Sequence, residues 1–169
     1  MTTFYRDFAA TGEVLGCSTD SSPEAWAAAL GPRFADDRVK KRLRRDYGLI
    51  EVNFFRVDGV WGCFSVSVQA HRLGWGEEAA VPEPLVAAYG PFPARVAAAD
   101  LLAELEAAGS PAARVPGREI FHVPSSNVHL YLAEQGADSG QSGSVLRKGD
   151  VWSLIKSPVP VLPPENQNP

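Results

Sequence analysis

Few residues in this chain have both the type and the spacing for chemistry. "GCSTD", Gly16 to Asp20, approaches the Gly-x-Ser-x-Gly turn that exposes a serine hydroxyl beside backbone donors, but Asp20 stands where the second glycine is required. Ser18 therefore reads as a loop or cap residue. No Gly-x-Gly-x-x-Gly or Gly-Lys-Ser/Thr segment is present to cradle a nucleotide phosphate. His71, His122 and His129 are scattered, and neither Cys17 nor Cys63 has a Cys or His close by, so the short ligand spacings of a metal site are missing. Two cysteines are too few for a disulfide scaffold, and free thiols are expected. The sequence thus offers no catalytic residue, metal ligand or cofactor site, and a non-enzymatic role is expected.

Charge gives a second kind of candidate. "RVKKRLRR", Arg38 to Arg45, is the densest run of like charge. Such a run can neutralise phosphates, but no nucleic-acid-binding motif surrounds it, so nucleic acid is not the expected partner. Its other use is to steer an acidic protein, with Arg42 and Arg45 at an electrostatic rim. The formal net charge of -4 and pI near 5.4 give no global attraction to polyanions. The first residues lack the pattern of a secretory leader, and no stretch approaches the ~20 apolar residues of a membrane span. A cytoplasmic location without membrane attachment is expected.

The elements that must position any binding residues are led by a hairpin, "YGLIEVNFFRVDGVWGCFSVSVQ", Tyr47 to Gln69. Its apolar sets, Ile50, Val52 and Phe54 against Val60, Phe64, Val66 and Val68, are all even-numbered. A two-residue turn at Asp58-Gly59 pairs odd positions with even ones and separates these sets. A three-residue loop, Val57 to Gly59, keeps them together and pairs Val52 with Phe64 and Ile50 with Val66. That register predicts a second face on which Phe55 opposes Trp61, Asn53 opposes Cys63 and Glu51 opposes Ser65.

Around the hairpin, Ser22, Pro23, Glu24 and the stop Gly31-Pro32 predict a capped helix over 23–30, with Trp26 and Leu30 inward. "FADDRVKKRLRRD" reads as a charged connection, with a short strand or helix in part of it as the alternative, leading into the hairpin. Residues 74–93, rich in Gly and Pro, read as an irregular connection between halves. A helix over about 94–108, strands near 119–123 and 127–133 and a further strand in "GDVWSLIKS" complete the second half. "EQGADSGQSGS" reads as a flexible tip and the Pro-rich end as an extended or disordered tail. The organisation expected is a first helix-plus-hairpin unit over 1–73, a connection over 74–93, a second helix-plus-strands unit over 94–157 and a tail over 158–169. At 169 residues the chain can bury roughly 70% of its unfolded surface, enough for one core or two small ones sharing an interface. The fold class is α+β, an antiparallel sheet backed by helices. The shared order of parts is open to two readings, a tandem duplication or two independent uses of a common unit.

"TGEVLGCSTDSSPEAWAAALGPRF" and "RRDYGLIEVNFF", followed by "GCFSVSVQAHRL", resemble the small immunity proteins that accompany bacterial polymorphic toxins. The order of elements is similar to that of the β-lactamase inhibitory protein fold, whose tandem helix-and-sheet units bind an enzyme with their sheet surface. The resemblance covers about the first 73 residues. It implies a cytoplasmic protein that neutralises a cognate protein toxin, encoded next to it, by occluding the toxin's active site. The alternatives are a small-molecule-binding or enzymatic α+β domain and a regulatory interaction module. The expected partner surface comprises Glu51, Asn53, Phe55 and Trp61, continued in the second half by His129, Tyr131 and Trp152. Aromatic anchors among small polar groups are the mixture that protein interfaces favour.

Overall fold

The computed structural model describes residues 3–75, 81–134 and 145–158. Helix α1, Thr3–Thr11, forms where Phe4, Tyr5, Phe8 and Ala9 recur on one side of a helical turn, and all four are buried. The sequence alone predicts no element for this stretch. Helix α2, Pro23–Leu30, matches its prediction residue for residue. The Ser22 hydroxyl accepts from the Ala25 N–H at 3.2 Å, and Trp26 and Leu30 point into the core.

The charged connection is a hairpin, strands β1, Ala35–Val39, and β2, Arg42–Asp46. Every residue of β1 is exposed, while β2 turns Leu43 and Arg45 inward. Strands β3, Ile50–Val57, and β4, Val60–Val68, pair through a two-residue turn. Asp58 and Gly59 both have positive φ, 49° and 86°, as a type I′ turn requires. The three-residue loop is therefore incorrect. The parity it was meant to preserve is restored elsewhere: the register shifts between Asn53 and Phe54, leaving Phe64 as the extra residue of a bulge. Beyond it Val52 faces Val66 and Ile50 faces Val68, so Ile50, Val52, Phe54, Val66 and Val68 share the core, whereas Val60, on the turn side of the bulge opposite Val57, is exposed rather than buried with them. Phe64, expected in that core, is 47% exposed.

A 3-10 turn, Ala70–Trp75, follows β4. Within the stretch predicted irregular lies a seven-residue helix, α3, Glu83–Tyr89, which buries Leu85. Proline occupies its first turn, where a missing N–H costs nothing. Helix α4 is Ala98–Ala107, shorter than predicted. The preceding residues are extended, because the Val96 carbonyl accepts from the Val151 N–H and the Ala98 N–H donates to the Gly149 carbonyl. Strands β5, Ala113–Arg114, β6, Ile120–Val123, β7, Val128–Leu132, and β8, Val151–Lys156, complete the chain of elements. The predicted flexible tip lies outside the described residues except for Glu134, as does the tail beyond Pro158.

Among the described residues, eight strands form one antiparallel sheet in the order β1-β2-β3-β4-β8-β7-β6-β5, and with four α-helices this is an α+β fold. Two helices precede four meandering strands in each half. The halves meet at their last strands, where Val66, Ser67 and Val68 of β4 face Lys156, Ile155 and Leu154 of β8. A single apolar cluster runs through both, joining Phe8, Trp26, Leu101 and Leu105 of the helices to Val52, Phe54, Val66, Leu130 and Leu154 of the sheet.

Candidate sheet-face interface

Residues paired across a sheet share a face, so the register assigns each candidate to a side. One row crosses all eight strands on the side away from the helical core: Ala35, Asp46, Glu51, Ser67, Ile155, His129, His122, Ala113. Glu51 and His129, 78 residues apart in sequence, are three strand steps apart on this row, about 14 Å. Alternation and pairing add Asn53, Phe55 and Arg42 on the first half and Tyr131 on the second. Six expected residues thus occur on one face.

Three do not fit the expectation. Trp61 pairs with Arg56, one residue off the predicted register, so it falls on the core side. There it packs against the apolar cluster, with the Arg38 and Arg56 guanidinium carbons 4.9 and 5.7 Å from its ring centroid. Arg45, expected at a charged rim, is only 9% exposed. It pairs with Val52 on the core side, reaches Asp36 through two bonds of 2.7 and 2.9 Å, donates to the Pro23 carbonyl at 2.8 Å and lies over the Phe34 ring. Its role is to tie β1 and α2 to β2. Trp152 is the extra residue of a second bulge, between the pairs Tyr131–Ser153 and Leu132–Val151, and its ring stacks on His71 at 4.2 Å.

The face has two electrostatic regions. At the start of β3, Arg72 from the 3-10 turn contacts Asp46 at 2.7 Å and Glu51 at 3.3 Å, and Arg44 approaches the same two carboxylates at 4.0 and 3.7 Å. Two cations and two anions offset one another there, and Glu51 is largely occupied by them. Next to this network, Asn53 donates to the Ser65 hydroxyl at 3.2 Å, and Gln69 donates to Ser67 at 3.0 Å. In the second half, His122 and His129 stack at 4.5 Å. His122 contacts the Asn127 carboxamide oxygen at 3.0 Å. Burial, and secondarily the neighbouring His122, hold the His129 imidazole below its ordinary pKa.

Toward the β1–β2 and β3–β4 turns the face opens into a hollow of about 750 Å³ whose lining includes Val39, Arg42, Arg44, Asn53, Phe55 and Phe64. Alternation alone predicts Phe64 in the core, and its place on this hollow corrects that expectation. The available signal was the break in alternation at Cys63-Phe64, two adjacent apolar residues in a strand that otherwise alternates with serine.

The arrangement provides shape and charge. Burial pushes the Cys63 thiol up to about 12, which leaves it protonated at neutral pH. Among the described residues, no group of three or more His, Cys, Asp or Glu could hold a metal ion. No described helix is long and apolar enough to cross a membrane. No protein-family model matches the sequence, and neither a curated protein nor a solved structure matches it at a significant level.

Proposed function

We propose that this chain is an immunity protein, a non-enzymatic inhibitor that binds a cognate bacterial toxin with the sheet face opposite its helices and occludes the toxin's active site. One observation carries the reading: among the described residues, the buried side chains of the four α-helices enter one core on one side of an eight-stranded sheet, leaving the opposite side without an α-helix and reached only by Arg72 of the 3-10 turn at its edge. That side presents Phe55 and Phe64 beside Asn53 and arginine, a mixture of apolar anchor and polar side chain suited to a protein surface. The toxin is proposed to be encoded immediately upstream, and the complex to form in the cytoplasm.

The test is co-purification of the chain with the product of that upstream gene, followed by the toxin's activity with and without the chain. The expected outcome is a stable complex and loss of toxin activity. Separate elution and undiminished activity would refute the proposal.

A further inference from the structure

Exposed apolar groups are unevenly distributed over this molecule. Of the eight large apolar residues exposed among the described ones, five sit at the adjoining turns of the β1–β2 and β3–β4 hairpins: Val39, Phe55, Val57, Val60 and Phe64. The two hairpins are held together there, with Arg42 paired to Phe55 and the Arg56 N–H donating to the Lys41 carbonyl at 2.8 Å. A hairpin turn needs only its Gly, Asn or Asp and tolerates charge elsewhere, so local folding does not require this concentration of apolar surface.

Charge is segregated at the same place. Residues 37–42 and 55–64 carry Arg38, Lys40, Lys41, Arg42 and Arg56 against Asp37 and Asp58, a local balance of +3 in a chain of formal charge -4. The remainder therefore carries -7. None of the five cations forms an ion pair among the described residues. Arg38 and Arg56 are drawn to the Trp61 ring, whereas Lys40, Lys41 and Arg42 form no ion pair among the described residues, with Asp37 the acidic residue that lines the same hollow as Arg42. Their contrast with the centre of the face, where Arg44 and Arg72 are matched by Asp46 and Glu51, is direct.

We infer that the paired hairpin tips are the primary docking site, and that the partner presents an acidic protein surface with apolar side chains that fill the Phe55–Phe64 hollow. This rests on the immunity reading and deepens it, by moving the anchor from the centre of the sheet to one end and by assigning the partner's charge. Protein is favoured over nucleic acid because five exposed apolar side chains, Val39, Phe55, Val57, Val60 and Phe64, lie among the cations, and Asp37 and Asp58 would repel a phosphate backbone.

The experiment measures affinity of the full chain for the upstream-encoded protein, at low salt and at about 0.3 M salt, for wild type, Lys41→Glu/Arg42→Glu and Phe55→Ser/Phe64→Ser. Poly-L-glutamate and short duplex DNA serve as defined polyanions. All four substituted residues are exposed, so each double variant is expected to keep the wild-type melting temperature to within a few degrees. Charge reversal is expected to weaken binding by about tenfold or more and to flatten its salt dependence; removing the two rings is expected to weaken binding by a similar factor at both salt levels. If the upstream protein binds and either double variant leaves its affinity unchanged, the hairpin-tip assignment is overturned while the immunity reading stands. If it does not bind at all, the immunity reading fails and the polyanions decide. Poly-L-glutamate binding weakened by both double variants supports an acidic polypeptide partner; no binding, or tighter binding to duplex DNA, overturns it.

Discussion

Phe54 and Phe64 lie on neighbouring strands and differ in what surrounds them. Phe54 is 2% exposed within the apolar cluster, whereas Phe64 stands outward from a bulge with nearly half its surface in solvent. Phe54→Ala is expected to cost ~3–5 kcal/mol through lost burial and a cavity, and Phe64→Ala about 1 kcal/mol or less. Denaturant unfolding of both variants checks this, and equal losses would contradict the outward placement of Phe64. His129 gives a residue-scale dependence on pH. Its burial beside His122 holds its pKa below the ordinary value, so the unfolded chain binds a proton that the folded chain does not. Stability should therefore fall as pH drops below about 6.5, the unfolded imidazole's range, and continue falling until the depressed folded pKa is passed. Melting temperatures from about pH 7.5 to about pH 5.5 should decline more steeply in wild type than in His129→Gln; parallel declines would show that His129 is not the group responsible. Arg45 illustrates what side-chain type alone conceals. Its neighbours Arg42 and Arg44 are exposed, but parity puts Arg45 beside Val52, where Asp36 and the Pro23 carbonyl compensate its charge.

At the scale of elements, local signals carried the structure where the residues deciding it are adjacent in sequence. Ser22, Pro23 and Gly31 bound α2 without help from the rest of the chain. The β3–β4 hairpin was legible in part. Its even-numbered core set requires one residue more than a two-residue turn provides, and counting reveals that residue without locating it. The turn was the first place to put it, but Asp58-Gly59 retains the tight turn and Phe64 in β4 takes up the excess. This accounts for the misplacement of Trp61, since residues on the turn side of the bulge keep the opposite parity. The charged β1–β2 hairpin reads from sequence as a connection with at most a short strand or helix, because edge strand β1 has no buried residue to set a period, and α3 is obscured by the prolines around it. Deleting Phe64 should leave a regular hairpin with Asn53 still opposite Ser65 and Val52 opposite Val66. Deleting Ser67 should move Val68 to the wrong face. Thermal melts should find the Phe64 deletion folded and clearly more stable than the Ser67 deletion. The reverse order would be inconsistent with the bulge.

For the whole molecule, the repeated order of helices and strands resolves into one sheet. Its halves are mirrored in strand order about β4 and β8, and the apolar cluster is continuous between them. The sequence contained the repeated order but not the β4–β8 junction, which depends on residues about 90 apart. That junction aligns Glu51, Ser67, Ile155 and His129 into one row and creates a face spanning both halves. The central claim is that this face, without an α-helix over it among the described residues, inhibits a toxin by direct contact. It is tested most directly by titrating the activity of the upstream-encoded protein with wild-type chain and with Asn53→Arg, which places a long charged side chain in the middle of the first half's face. The expected result is complete inhibition at about one equivalent of wild type and at least a tenfold weaker effect of Asn53→Arg, with its melting temperature within a few degrees of wild type. Full activity in excess wild-type chain, or equal inhibition by the variant, would contradict the claim.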